Sequence, residues 1–398
     1  MKLRSTRIYT ETGCQAGVLT IEQGKIADFA PGGTDPEAVD YGDLRIIPGI
    51  FDTHNHGTCG YGAGSRRESL EDNMADIRGF LKGAASQGVT NVFPTQLKPA
   101  GIAAAAAVLE EGPQEGARIL GIHSEGPWLN RVGEKGVRGA CPPVTLDAAR
   151  AMVDMGRGHL RLVALAPELP GMEAVIDFFL SRGVTVAAAH SDNQYRAAMA
   201  AYDRGVSVAT HTGNVMTGLH HRDVGGLGAA LLHPGVDCEV ICDGVHICDE
   251  MLGIYFKLKS TDRFLMVSDC VHLSGAPAGR YLGIFPGTTA VVTEEGFLLT
   301  DTGRIMGSSQ SVLHDIGHLV EGLGLPLETC LEMACLNPAR KYGFAGETGS
   351  ITVGKDADLV VISEDYQALE TFSQGRRVYC REEEGEIFNP SCLAEERL

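Results

Sequence analysis

Eight short apolar runs, separated by segments rich in helix formers, set the strongest limit on how this chain can fold. The runs are Ile46 to Phe51, Val89 to Pro94, Arg118 to His123, Leu160 to Ala166, Val184 to His190, Val206 to His211, Cys238 to Cys242 and Arg263 to Ser268. Good helix formers fill the segments between them, as in Gly101 to Glu111, Leu146 to Gly156 and Met172 to Arg182. Continuous apolar strands alternating with helices form a parallel sheet covered on both faces. Eight such units predict an α/β fold, a (β/α)8 TIM barrel. The alternation carries no close sequence repeat, which excludes a solenoid.

The chain has 398 residues, enough for such a barrel and a smaller domain. Both ends read as short β segments with Gly and Pro punctuation: Arg4 to Tyr9, Ala16 to Ile21, Lys25 to Phe29 and Leu44 to Ile47 at the start, Gly349 to Lys355, Asp358 to Ile362 and Gly375 to Tyr379 at the end. The shared pattern predicts one small β-sandwich domain from residues 1–49 plus 345–398, with the barrel over residues 50–344.

In a barrel of this type the active site lies at the C-terminal ends of the strands. Those ends carry His54 and His56, then His123-Ser124-Glu125, then His190, His211, Asp243-Gly244-Val245-His246, and Asp269. One strand-end histidine is readily explained as a core residue. Six polar strand ends in one register are not, because uncompensated polar burial costs a few kcal/mol each. His54 and His56 are two apart on a strand, so both imidazoles lie on one side and can share an ion. The donor set suits a divalent transition metal such as zinc, iron or manganese. Glu125 has two oxygens and can bridge two ions. The expected sites are His54, His56, Glu125 and Asp269 for one, and Glu125, His190 and His211 for the other. A metal acidifies water and polarises a carbonyl. Asp269 is the candidate proton carrier to a leaving amine, and His246 the candidate donor to the carbonyl or contact to substrate. The reaction class is hydrolysis of a C–N bond.

Bulk properties narrow the partners. A net charge of −18 excludes a nucleic-acid backbone as partner but not a small anionic substrate. Eleven cysteines without a C-x-x-C pair read as reduced thiols, which places the chain in the cytoplasm. Met1 to Thr10 has no apolar core of a secretory signal, and no apolar stretch reaches membrane-spanning length.

The motifs together resemble the N-acetylglucosamine-6-phosphate deacetylases of the amidohydrolase superfamily, over nearly the whole chain. The matching pieces are Pro48 to Gly57, His123 to Trp128, Ala189-His190-Ser191, Thr210 to Met216, Asp243 to His246, Ser268-Asp269 and the tail Gly354 to Val361. Glu125-Gly126-Pro127 is the most diagnostic piece. The resemblance implies that Glu125, His190 and His211 bind metal, that Asp269 is the catalytic acid/base, and that the retained His54 and His56 add a second ion. It implies substrate contacts from Asn214, Val215, His246 and the Gly307-Ser308-Ser309 loop, which residue chemistry alone reads as a turn and helix cap. Arg222, eleven residues after His211, falls where the family places an arginine for the substrate phosphate, often reaching a neighbouring subunit. A homodimer is the implied assembly. The implied reaction converts N-acetylglucosamine-6-phosphate to glucosamine-6-phosphate and acetate. Two positions depart from the pattern: Gly213 stands where the family has an aromatic, and Val137 where it has a histidine. These bear on the sugar or acyl group rather than on the chemistry, so another N-acyl or phosphorylated amino sugar is the alternative. A non-catalytic barrel would have shed metal ligands or Asp269, and all are present.

Overall fold

A computed structural model of the chain describes residues 1–132, 137–138, 141–283, 289–300 and 302–396. Eight parallel strands form the barrel. They are β1 (Ile50–Asn55), β2 (Val89–Gln96), β3 (Ile122–Glu125), β4 (Leu160–Leu165), β5 (Thr185–Ala188), β6 (Val208–Ala209), β7 (Asp237–Val240) and β8 (Phe264–Met266). Each pairs with the next in chain order. Between β8 and β1 the ring closes above the ladder: the Asp269 N–H donates to the His54 carbonyl at 2.9 Å, and the His56 N–H to the Cys270 carbonyl at 2.8 Å. The strands are followed in turn by α1 (Leu70–Ser86), α2 (Pro99–Glu110), α3 (Leu146–Met155), α4 (Met172–Ser181), α5 (Tyr195–Arg204), α6 (Gly225–Leu232), α7 (Asp249–Leu258) and α8 (Val312–Leu323).

Strand alternation sorts the core into two layers. On β4, Val163 and Leu165 join the large cluster against the helices, while Leu162 and Ala164 face the barrel axis with Phe51, Phe93, Ala187 and Val208. Phe51, Phe93 and Tyr342 fill the lower end in edge-on contacts, with Phe93 and Tyr342 ring centres 4.8 Å apart. The apolar plug below leaves the upper end of the barrel to polar side chains.

The strands of the two chain ends join one eight-stranded sheet, in which Leu359–Ile362 pairs antiparallel with Arg45–Pro48. The expected sandwich is thus a single sheet. It curls until residues 24–26 meet residues 355–357, enclosing Leu3, Ile8, Leu19, Ile46, Leu359 and Phe372. The run Ile46 to Phe51 is two strands rather than one. Gly49 separates them because a Cβ there would lie 2.1 Å from the Thr90 hydroxyl oxygen, so only glycine lets the chain pass from sheet to barrel at this point.

Two features were not foreseen. A three-stranded antiparallel sheet (Gly279–Leu282, Thr289–Val292, Leu298–Thr300) sits between β8 and α8. The last turn of chain packs Cys392 and Leu393 against that sheet, and the Asn389 N–H reaches the Cys59 carbonyl beyond β1 at 2.9 Å. No helix among the described residues is long and apolar enough to cross a membrane.

Candidate metal centre

The strand-end residues converge. Glu125, at the end of β3, sits between two pairs of imidazoles. Its Oε1 is 3.0 Å from Nε2 of both His190 and His211, and its Oε2 is 3.1 Å from Nε2 of His56. His54 and His56 face each other at 3.2 Å between Nε2 atoms, as do His190 and His211. Two ligands about 2.05 Å from one tetrahedral ion stand about 3.3 Å apart, so both spacings fit an ion between each pair. Asp269 Oδ1 is 3.4 Å from Nε2 of both His54 and His56. The described residues thus offer two triads of ligand atoms, His54-His56-Glu125 and Glu125-His190-His211. Each suits a divalent metal.

The electrostatics favour a cation. Burial opposes charge on His54, but Asp269, Glu239 and Glu125 outweigh it and push its pKa up to about 10. Burial would raise the Glu125 carboxyl, but hydrogen bonds from His190, His211 and His56 hold it well below its usual value. His123, by contrast, is wholly buried, its pKa driven well down by desolvation and by His54. Its Nδ1 lies 3.1 Å from the Thr95 hydroxyl, and it belongs to neither triad.

Local backbone conformation aims these groups. His190, His211 and Asp269 all have positive φ, at 49°, 29° and 51°. Non-glycine residues enter that region at about 1–2 kcal/mol each, a strain that surrounding bonds must hold. His190 is clamped by the turn after β3: its carbonyl accepts the N–H groups of Asn130 and Arg131, and its Nδ1 lies 2.8 Å from the Arg131 carbonyl. Asp52, buried beneath, accepts the Ser268 hydroxyl at 2.6 Å and the Asn55 amide at 2.9 Å, which ties β8 to β1 under Asp269.

Beside the triads, Asp243 Oδ2 is 2.7 Å from His246 Nδ1 and accepts the Ser308 hydroxyl at 3.0 Å. Burial disfavours this charged pair, but the hydrogen bond wins: Asp243 is held below the carboxylate range and His246 is raised. A narrow cleft brings His246, Gly307 and Ser308 together with Phe297. The helix cap expected near Gly307-Ser308-Ser309 lies further on: Ser311 caps α8, and Ser308 serves Asp243 instead. Asn214 and Val215 follow His211 in a tight turn, where the Asn214 amide donates to the His211 carbonyl at 3.2 Å. Arg222 is exposed on the loop before α6 and joins neither triad. Its neighbours His220 and His221 are loop residues whose rings lie tilted against each other, with centres 4.1 Å apart.

The two departures have different outcomes. At Gly213 (φ 98°) a Cβ would lie 2.1 Å from the Tyr255 hydroxyl, so α7 fills the space a side chain there would need. Val137 pairs its backbone with Val132, and its side chain lies outside the described residues.

One neighbour of the site was missed. Glu239, wholly buried on β7, has Oε2 3.1 Å from His54 Nδ1. Its only sequence signal is a carboxylate inside an apolar run.

Comparison with known proteins agrees with this geometry. Residues 45–378 match the amidohydrolase family. The chain is 30% identical to the N-acetylglucosamine-6-phosphate deacetylase of Vibrio furnissii, over 92% of this chain and 91% of that one. It is also 30% identical to the N-acetylgalactosamine-6-phosphate deacetylase of Escherichia coli O157:H7, over 94% and 98%. The structure of a Mycobacterium smegmatis N-acetyl-D-glucosamine-6-phosphate deacetylase variant in complex with N-acetyl-D-glucosamine-6-phosphate superposes with a TM-score of 0.84 at 26% identity, covering 95% of this chain and 99% of that one. With its strand ends carrying the donors described above, the chain belongs to the amidohydrolase family of metal-dependent hydrolases.

Proposed function

We propose that this enzyme removes the acetyl group from N-acetylglucosamine-6-phosphate, giving glucosamine-6-phosphate and acetate, with two divalent ions in each chain. The observation that carries this reading is Glu125 between two imidazole pairs, with Asp269 3.4 Å from both His54 and His56. Zinc, iron or manganese held by these residues would supply Lewis acidity to the amide carbonyl and lower the pKa of water toward neutrality. Asp269 accepts the proton of the attacking water and delivers it to the leaving amine, so the amine departs neutral. His246, protonated on Nε2 and held at Nδ1 by Asp243, donates to the carbonyl oxygen or to a substrate hydroxyl. Asn214, Val215, Gly307 and Ser308 line the approach, and Arg222, exposed on the loop before α6, meets the substrate phosphate of a neighbouring subunit in a homodimer.

The N-acetylgalactosamine-6-phosphate deacetylase relative, also 30% identical and matched over 94% of this chain, favours a second reading in which the epimeric sugar phosphate is the substrate. Eleven free thiols support a reducing, cytoplasmic setting. The shared sheet supports residues 1–49 with 345–398 as one folding unit and 50–344 as the other. The test is an activity screen of N-acetylhexosamines with and without 6-phosphate, run on wild type and Arg222→Ala. Activity should require the phosphate, and Arg222→Ala should raise KM at least tenfold. Phosphate-independent turnover that ignores Arg222 would overturn the assignment.

A further inference from the structure

Three carboxylates converge on His54: Glu239 at 3.1 Å, Asp269 at 3.4 Å and Glu125 at 3.8 Å. Glu239 is the odd one, because it approaches the imidazole from behind. Its Oε2 meets Nδ1, whereas His56, Asp269 and Glu125 all lie on the Nε2 side. A neutral imidazole carries one ring proton, and a carboxylate on Nδ1 holds that proton there. The Nε2 lone pair is then left for an ion on the His56 side. Carboxylate partners of this kind fix ring orientation and raise ligand basicity.

The second triad has no such support. His190 Nδ1 faces the Arg131 carbonyl at 2.8 Å, and His211 Nδ1 has no hydrogen-bond partner among the described residues. One ion position is therefore backed by a full negative charge, the other by a carbonyl dipole. Glu239 also lacks an ordinary structural reason for its charge. It is wholly buried, forms no ion pair with Lys or Arg among the described residues, and its Oε1 has no hydrogen-bond partner there. A buried carboxylate in that state is costly unless a cation lies nearby.

We propose that Glu239 is a positioning residue that makes the His54–His56 position hold its ion, and that it governs that position alone. The inference rests on the two-ion reading given above. The test titrates metal-free wild type, Glu239→Gln, Glu239→Leu, Glu239→Asp and His54→Ala with zinc ion by calorimetry, alongside thermal unfolding of each metal-free form. Wild type should bind two equivalents and His54→Ala one. Glu239→Gln keeps a hydrogen-bond acceptor but loses the charge, and should weaken one equivalent about tenfold. Glu239→Leu should weaken the same equivalent about a hundredfold, and Glu239→Asp should recover part of the loss. The other equivalent should keep its affinity, and metal-free Glu239→Gln should melt no lower than wild type does. If Glu239→Leu does not fold, Glu239→Gln decides. Unchanged affinity for both equivalents overturns the proposal. So does equal weakening of both together with a lower metal-free melting temperature, which marks a general structural role. A single equivalent in wild type that His54→Ala retains refutes the two-ion reading itself, and the proposal falls with it.

Discussion

Replacing Asp269 by Asn separates its proton chemistry from its place in the fold. The two side chains are nearly the same size, and the backbone bonds at this position do not involve the carboxylate. The Asp269 N–H still donates to the His54 carbonyl, and its carbonyl still accepts the Ser308 N–H, both at 2.9 Å. Among the described residues, the only other carboxylate facing the same nitrogens, Glu125, is already engaged by His190 and His211 through Oε1 and by His56 through Oε2. Among the described residues, no carboxylate at these nitrogens is free to take over as base. A positioned acid/base contributes about 10²–10⁴ in rate, and without a substitute the loss should fall at the upper end, near 10³–10⁴. That corresponds to about 4–5.5 kcal/mol of barrier, at about 1.36 kcal/mol per tenfold. The four histidines and Glu125 remain, so metal content should stay at the wild-type level. The assay is acetate release from N-acetylglucosamine-6-phosphate, with metal analysis on the same preparation. Turnover within tenfold of wild type at full metal content would refute the reasoning. Loss of metal along with turnover would show that the ion depends on the Asp269 side chain, so that the fall in rate could not be assigned to proton transfer.

Two further outcomes follow from buried groups around the site. Asp315, wholly buried in the first turn of α8, accepts the Cys242 N–H at 3.0 Å, and burial pushes its pKa from 3.8 up to about 7. Its folded pKa lies above its unfolded one, so its contribution to stability is lost as pH rises toward 7 and beyond. Asp315→Asn keeps an acceptor without ionising and should gain roughly 2–4 kcal/mol over wild type between pH 4 and pH 8.5. Urea unfolding at those two pH values checks this, and parallel pH profiles would contradict it. Gly213→Ala should cost roughly 2–4 kcal/mol through overpacking against the Tyr255 hydroxyl and strain at positive φ. Adding Tyr255→Phe should recover the overpacking part in thermal melts, and a Gly213→Ala protein that melts like wild type would refute the close contact.

The strand-end donors were legible because each breaks a rule the eye can see: a polar residue ends an apolar run, and burying it unpaired is costly. That is why His54, His56, Glu125, His190, His211 and Asp269 could be read in order; the first five come together as two triads that share Glu125, and Asp269 stands beside one of them. Glu239 breaks the same rule inside a run, but its partner His54 lies 185 residues away, and nothing local announces the pair. The strand Ile46 to Phe51 was misjudged for a related reason. Its residues are apolar throughout, and only the approach of Thr90 to Gly49 shows that two sheets share them. The hairpins at residues 279–300 belong to a long insertion whose pattern stood outside the strand–helix alternation.

By itself, the sequence determined the barrel, the association of both chain ends in one β unit, and the ligand types at the strand ends, because periodicity and the cost of polar burial act locally along the chain. The tertiary structure alone decided the distances at which the donors of each triad stand, that Asp243 and Ser308 hold His246, that Tyr255 occupies the space beside Gly213, and that Glu239 stands behind His54. Apart from the local Asp243–His246 pair, these contacts depend on the packing of the closed barrel, which brings together side chains far apart in sequence at distances that no local pattern encodes.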